Sequence, residues 1–258
     1  MRAVKRAPAA LLVPAGIGLT FLVLPLAGLL IRAPWRSLPR LLGTAEVFDA
    51  LRLSLLTATL ATVVSVVLGV PLAWVLARSD LPGRWLIRAA VTVPLVLPPV
   101  VGGVALLLVL GRHGLIGRPL HLSLPFSTAG VVVAEAFVAM PFLVITVEGA
   151  LRAADRRYEQ AAATLGASRW TVFRRVTLPL VRPGVVAGAV LCWARALGEF
   201  GATITFAGSF PGITRTMPLT VYLALETDPE AAVALSLVLL AVSVLVLATL
   251  RDRWLVPR

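Results

Sequence analysis

The sequence holds a single cysteine, Cys192, and only two histidines, His113 and His121. One cysteine permits no disulfide within the chain and no cysteine-based metal cage, so Cys192 reads as a small apolar packing residue. The histidines lack the H-E-x-x-H spacing of a zinc site and read as ordinary loop residues, and no metal site is expected. No G-x4-G-K-S/T run occurs, so ATP hydrolysis by this chain is excluded. Charge is sparse, with 14% charged residues, and acidic groups are the rarer sign: 12 Asp and Glu against 24 Lys and Arg. An ordinary globular domain is nearer a quarter charged.

What fills the chain instead is apolar: 59% of the 258 residues are hydrophobic and the mean hydropathy is +0.95. About 20 apolar residues cross the roughly 30 Å hydrocarbon layer, and six runs qualify: 9–31, 51–77, 86–110, 128–150, 184–207 and 231–250. The reading is a single all-α transmembrane domain over residues 1–258 with six transmembrane helices. The first run follows Arg2, Lys5 and Arg6 but is too long for a signal-peptide core and has no small-residue cleavage site after it, so it is read as an uncleaved span. The first external loop, Arg32–Ala50, is expected to carry a short interfacial helix in its second half.

The net charge of +12 is distributed as in a membrane protein rather than a nucleic-acid binder. With the N-terminus placed inside, Arg32, Arg36, Arg40, Arg52, Arg112, Arg118 and Arg215 fall outside, Arg195 falls within a span, and the other basic residues face the cytoplasm. That positive-inside bias puts both termini in the cytoplasm. The third run contains Pro94, Pro98, Pro99, Gly102 and Gly103. Proline inside a helix removes a hydrogen bond and clashes with the preceding turn, so this span should be kinked or broken. Non-helical backbone at membrane depth is tolerated where protein or a water-filled cavity covers it, so Pro98 and Pro99 are expected either to face a translocation path or to form a packing kink without a functional role.

All five aspartates, Asp49, Asp80, Asp155, Asp228 and Asp252, lie outside the spans, which excludes an intramembrane aspartyl protease. No histidine lies in a span to pair with Ser54, Ser65 or Ser236, so a membrane serine protease is excluded as well. Glu135, Glu148, Arg195 and Glu199, by contrast, lie inside spans. Glu148 is expected to reach Arg152, Arg156 and Arg157 at the cytoplasmic interface; Glu135 is left without a role. Arg195 and Glu199, spaced i and i+4, can form a lateral ion pair, either neutralising each other or serving the path. Gly198 and Gly201 flank Glu199 and allow another backbone to come close.

Between the fourth and fifth spans lies a polar, arginine-rich stretch, residues 152–182. Its core reads Gln160-Ala161-Ala162, three residues, Gly166, nine residues, then Val176-Thr177-Leu178-Pro179. This resembles the EAA loop, E-A-A-x3-G-x9-I-x-L-P, by which permeases of ABC importers engage their ATPase subunits. Gln160 stands where that pattern has glutamate, with Glu159 just before it. The resemblance makes Glu159, Gln160, Ala161, Ala162, Gly166, Leu178 and Pro179 the coupling residues. Ala161 and Ala162 are small enough for close docking, and Gly166 suits a left-handed turn ending the first short helix. Pro179 and Pro183 are expected to separate this hairpin from the fifth span.

A second motif is more specific. Arg195-Ala-Leu-Gly198-Glu199-Phe-Gly201, continuing Ala202-Thr203-Ile204-Thr205-Phe206, and Pro211-Gly212-x-Thr214-Arg215-Thr216-x-Pro218 together resemble the oxyanion permeases, the molybdate permeases in particular. The resemblance covers about Leu51 to Tyr222. It implies a type I ABC importer permease fold in the bacterial inner membrane and a homodimer embedded in lipid. It also implies an ATPase dimer that holds the ATP and magnesium, this chain binding no cofactor, and an extracytoplasmic protein that delivers molybdate or tungstate. Sulfate or thiosulfate is the alternative cargo; a passive anion pore would need a filter motif or charge rings. The path would be lined by Pro98, Pro99, Arg195, Gly198, Glu199, Gly201, Thr203 and Thr205, the two threonines as neutral donors.

Overall fold

The computed structural model describes residues 9–254, and every regular element among them is a helix. The order runs α1 (Ala9–Ile31), α2 (Leu38–Leu42), α3 (Ala45–Arg78), α4 (Arg84–Val96), α5 (Pro99–Leu110) and α6 (Thr128–Ala153). Next come α7 (Arg157–Thr164), α8 (Arg169–Val172), one π-helical turn (Phe173–Thr177) and α9 (Leu178–Leu197). α10 (Gly201–Ala207), α11 (Met217–Thr227) and α12 (Pro229–Trp254) complete it. Arg2, Lys5, Arg6 and Arg258, which help orient the chain by charge, lie outside the described residues.

Five helical stretches are long and apolar enough to cross a membrane, and the third expected span is present as two shorter helices, α4 and α5. The break is the expected one: Leu97 and Pro98 are extended, with ψ of 130° and 131°, and Pro99 opens α5, where a missing N–H leaves nothing unsatisfied. The bundle is centred on α3, α6 and α9. Its core is built from small residues, with Ala58, Ala61, Ala73, Ala139 and Cys192 fully buried among Leu76, Leu143, Val144 and Val147. Side chains this small let helix backbones approach in an apolar medium, where packing rather than water expulsion drives association.

Four boundaries differ from the sequence reading. The second span begins at Ala45, because the Thr44 side chain accepts from Val47 N and starts the helix six residues early; the short helix of the first loop is α2, ahead of this cap. Pro179 and Pro183 do not separate the hairpin from the fifth span. The π-turn carries the helical path into α9, whose first turn tolerates Pro179, and Pro183 lies within the helix. The fifth span is not continuous to residue 207: Gly198 ends α9, and α10 restarts after Glu199 and Phe200. Finally, the stretch following α10 contains α11, opened by extended Thr216 with Pro218 in its first turn, where only loop was expected.

Candidate functional site

The hairpin is held in place by charges at its base. Asp155 Oδ1 accepts from Arg157 N at 2.9 Å and starts α7. Glu159, half-buried, accepts from Arg78 Nη2 at 3.2 Å and Nε at 3.3 Å, and from Thr177 Oγ1 at 3.0 Å. One carboxylate thus ties α7 to the end of α3 and to the π-turn. Two arginines cross beside it. Arg78 Nη2 donates to Ala154 O (3.4 Å) at the end of α6, and Arg156 Nη2 donates to Ala77 O (3.1 Å) at the end of α3. Both satisfy terminal carbonyls that a helix leaves without partners.

At the tip, Gly166 has φ of +84°, and two bonds close the turn: Gly166 N to Ala163 O (3.0 Å) and Ala167 N to Ala162 O (3.1 Å). This is the Schellman arrangement, for which a residue without Cβ is preferred. Ser168 Oγ then accepts from Thr171 N and starts α8. Gln160 and Ala161 are exposed, Ala162 and Leu178 half-buried, and Pro179 exposed. Leu165, beside the glycine, is 88% exposed, an apolar tip left uncovered by the other described residues.

The two broken spans meet at their breaks. A Cβ on Gly201 would lie 2.9 Å from Pro99 Cβ and 3.1 Å from Val100 N; one on Gly103 would lie 2.6 Å from Thr205 Cβ and 2.9 Å from Ala202 O. Both positions therefore require glycine for the approach of α5 to α10. Arg195 Nη1 pairs with Glu199 Oε2 at 2.6 Å, and Glu199 Oε1 accepts from Ala202 N at 2.8 Å. Glu199, 1% exposed, thus neutralises an arginine and caps α10 at once. Gly198 and Pro98 are exposed and Pro99 is half-buried. Thr203 is fully buried between α10 and its neighbours, and the Thr205 hydroxyl is engaged by Gly201 O at 2.8 Å.

Several partners were not legible in the sequence. Arg78 lies 81 positions from Glu159 and no local spacing joins them. Glu148 is bridged by Arg88 (2.6 Å) and Arg152 (2.8 Å), while the Arg156 guanidinium, expected to join it, donates to Ala77 O, and Arg157, also expected there, contributes its backbone N–H to Asp155. Glu135 accepts from Thr57 Oγ1 at 2.9 Å, linking α6 to α3 inside the bundle. At the opposite end from the hairpin, Arg215 pairs with Glu46 at 2.6 Å and Met217 N donates to Ser54 Oγ, which seats α11 on α3.

The family described as the binding-protein-dependent transport system inner membrane component matches residues 65–258. The chain belongs to this family of transport permeases. The permease is 56% identical over 238 residues to the molybdenum transport system permease protein ModB of Mycobacterium tuberculosis, covering 90% of this chain and 89% of that one. It is 42% identical over 212 residues to ModB of Escherichia coli K12, covering 81% and 93%. The sulfate transport system permease protein CysT of the same bacterium is 37% identical over 233 residues, covering 88% and 84%. Among solved structures, a bacterial ABC transporter importing alginate superposes with a TM-score of 0.77 at 17% identity, covering 95% of the permease and 93% of that chain. The fold of the permease is that of these ABC importer permeases, and it is a multi-pass membrane protein.

Proposed function

We propose that this permease carries molybdate, and tungstate with it, inward across the bacterial inner membrane as a non-catalytic subunit of an ATP-driven importer. The observation that supports the cargo is the graded similarity, 56% to a molybdenum permease over most of both chains against 37% to a sulfate permease. Two copies form the path, an ATPase dimer receives the hairpins, and an extracytoplasmic binding protein delivers the oxyanion. The geometry supports coupling through the hairpin: its base is fixed by Glu159 and the crossed arginines, and its tip presents Leu165. Closure of the ATPase pair would draw two such hairpins together and rock the spans between inward-open and outward-open states. The path follows Pro98, Pro99, Arg195, Gly198, Glu199, Gly201, Thr203 and Thr205 at the meeting of the two broken spans.

Two measurements test this reading. Vesicles containing the permease, its ATPase and its binding protein are expected to take up labelled molybdate only with hydrolysable ATP, with tungstate competing at equal concentration and sulfate failing at tenfold excess. Uptake that persists with a hydrolysis-defective ATPase would instead mark a passive pore, and efficient competition by sulfate would reassign the cargo. For orientation, the hairpin and both termini are placed in the cytoplasm, so Ser168→Cys should react with an impermeant thiol reagent only from inside and Ser209→Cys only from outside. Labelling of Ser168→Cys in intact cells would reverse the topology.

A further inference from the structure

Between α3 and the base of the hairpin lies a cavity of about 280 Å³ lined by Pro71, Trp74, Val75, Arg169, Trp170 and Phe173. Its walls are aromatic. Trp170 stacks on Phe173 with ring centres 5.6 Å apart, and Trp74 meets Phe173 edge-on at 6.2 Å. Trp170 is nevertheless 68% exposed, so the stack is a wall open to the outside rather than part of the core.

The cavity continues an apolar track. Leu56, Leu60, Val63 and Val67 are 43–63% exposed and, with exposed Pro71, recur every three or four residues along one face of α3. At 1.5 Å per residue that face is about 22 Å long, more than the roughly 15 Å of hydrocarbon in one leaflet. Its end is charged. Arg169 lines the cavity, and Arg174 and Arg175 are exposed on the adjoining π-turn. No carboxylate lines the cavity, and the nearby Glu159 is already held by Arg78. Tryptophan rings beside arginines at the end of a lipid-length apolar strip match the amphipathic level where headgroups meet acyl chains.

The geometry points to a binding site for one anionic phospholipid of the cytoplasmic leaflet, its acyl chain along α3, its glycerol region against Trp74 and Trp170, and its phosphate at Arg169. An inorganic anion would leave the aromatic walls unused, and a zwitterionic phospholipid would set its cationic headgroup against Arg169, Arg174 and Arg175, so both features together select an anionic lipid. The site rests on the cytoplasmic placement of the hairpin proposed above, which thiol labelling reads independently.

The test is lipid retention by the complex of permease and ATPase, reconstituted with equal phosphatidylglycerol and phosphatidylcholine, extracted in mild detergent and examined by native mass spectrometry. The wild type should retain phosphatidylglycerol preferentially. Arg169→Gln should lower that preference about fivefold, the effect of one basic side chain near an anionic surface, while Arg112→Gln at the other face leaves it unchanged. Trp74→Leu, off the hairpin, should reduce retention of both lipids and keeps the test decisive if Arg169→Gln releases the ATPase. Wild-type retention by Trp74→Leu, or an unchanged lipid ratio in Arg169→Gln, overturns the site. So would loss of the ATPase from Trp74→Leu with lipid retained, which would assign the cavity to the ATPase, or efficient crosslinking of Trp74→Cys between two copies, which would assign it to the dimer.

Discussion

Gly166→Val is expected to leave the permease inserted and dimeric while reducing co-purification of the ATPase and molybdate uptake by tenfold or more. At φ of +84° a β-branched residue is strained, at about 1–3 kcal/mol. A Cβ at this position meets no atom of the described residues within 4 Å, so the penalty is one of backbone conformation. The turn then relaxes by giving up its two closing bonds, and Leu165 loses its fixed direction. Gly166→Asn should be milder, since asparagine enters the left-handed region more readily. Within the same series, Glu159→Ala should weaken docking more than Gln160→Ala. The first removes the carboxylate that neutralises Arg78, whose side chain is 5% exposed and keeps its bond to Ala154 O, and frees Thr177, whereas Gln160 is exposed. Wild-type docking and uptake by Gly166→Val would remove the hairpin from the coupling scheme, and a larger loss from Gln160 than from Glu159 would reverse the roles assigned to those neighbours.

The second large effect concerns Arg195 and Glu199. Arg195→Ala leaves a carboxylate that is 1% exposed with only Ala202 N as partner, and removing one member of a buried pair costs about 3–5 kcal/mol. Expression, thermal stability and uptake should all fall together. Arg195→Met combined with Glu199→Gln keeps an acceptor for Ala202 N and removes both charges, so it should recover most of the lost stability, an interaction between neighbours that single substitutions do not reveal. What uptake the double variant retains then separates neutralisation from transport. Recovered stability with normal uptake makes the pair structural, whereas recovered stability with uptake still lost gives the charges a role in the path. A stable, active Arg195→Ala would show that the ion pair contributes neither.

How far these elements could be read beforehand follows from the range of the forces involved. The break at Leu97 and Pro98 and the turn at Gly166 were legible because proline and glycine act on their own backbone. The pair at Arg195 and Glu199 was legible because i and i+4 share a helix face. Arg78 on Glu159 and Arg88 on Glu148 were not, because those contacts span 81 and 60 positions and depend on how whole helices pack. Pro179 misled for a related reason, since the π-turn ahead of it carries the helical path into α9, and Pro183 misled because a proline can sit within a membrane helix whose freed carbonyl finds other partners. The interruption after Gly198 was hidden because Glu199 serves two purposes, and its spacing to Arg195 is visible whereas its bond to Ala202 N forms only once the helix has stopped. The path threonines were chosen for their chemistry, and burial of Thr203 is a property of the packed bundle.

The crossed arginines at the ends of α3 and α6 have a mechanical consequence. With Arg78 anchored on Ala154 and Arg156 on Ala77, the hairpin base has little compliance, and a push at Leu165 is not absorbed where it is applied. Displacement is then expected at the interruptions between helices, at Leu97–Pro98 and Gly198–Phe200. These joints are braced against each other through Gly201 and Pro99, so bending one loads the other. If the path runs past these breaks as proposed, the bundle acts as a stiff beam with paired hinges, and a stroke applied at the hairpin would be delivered where an ion would have to pass.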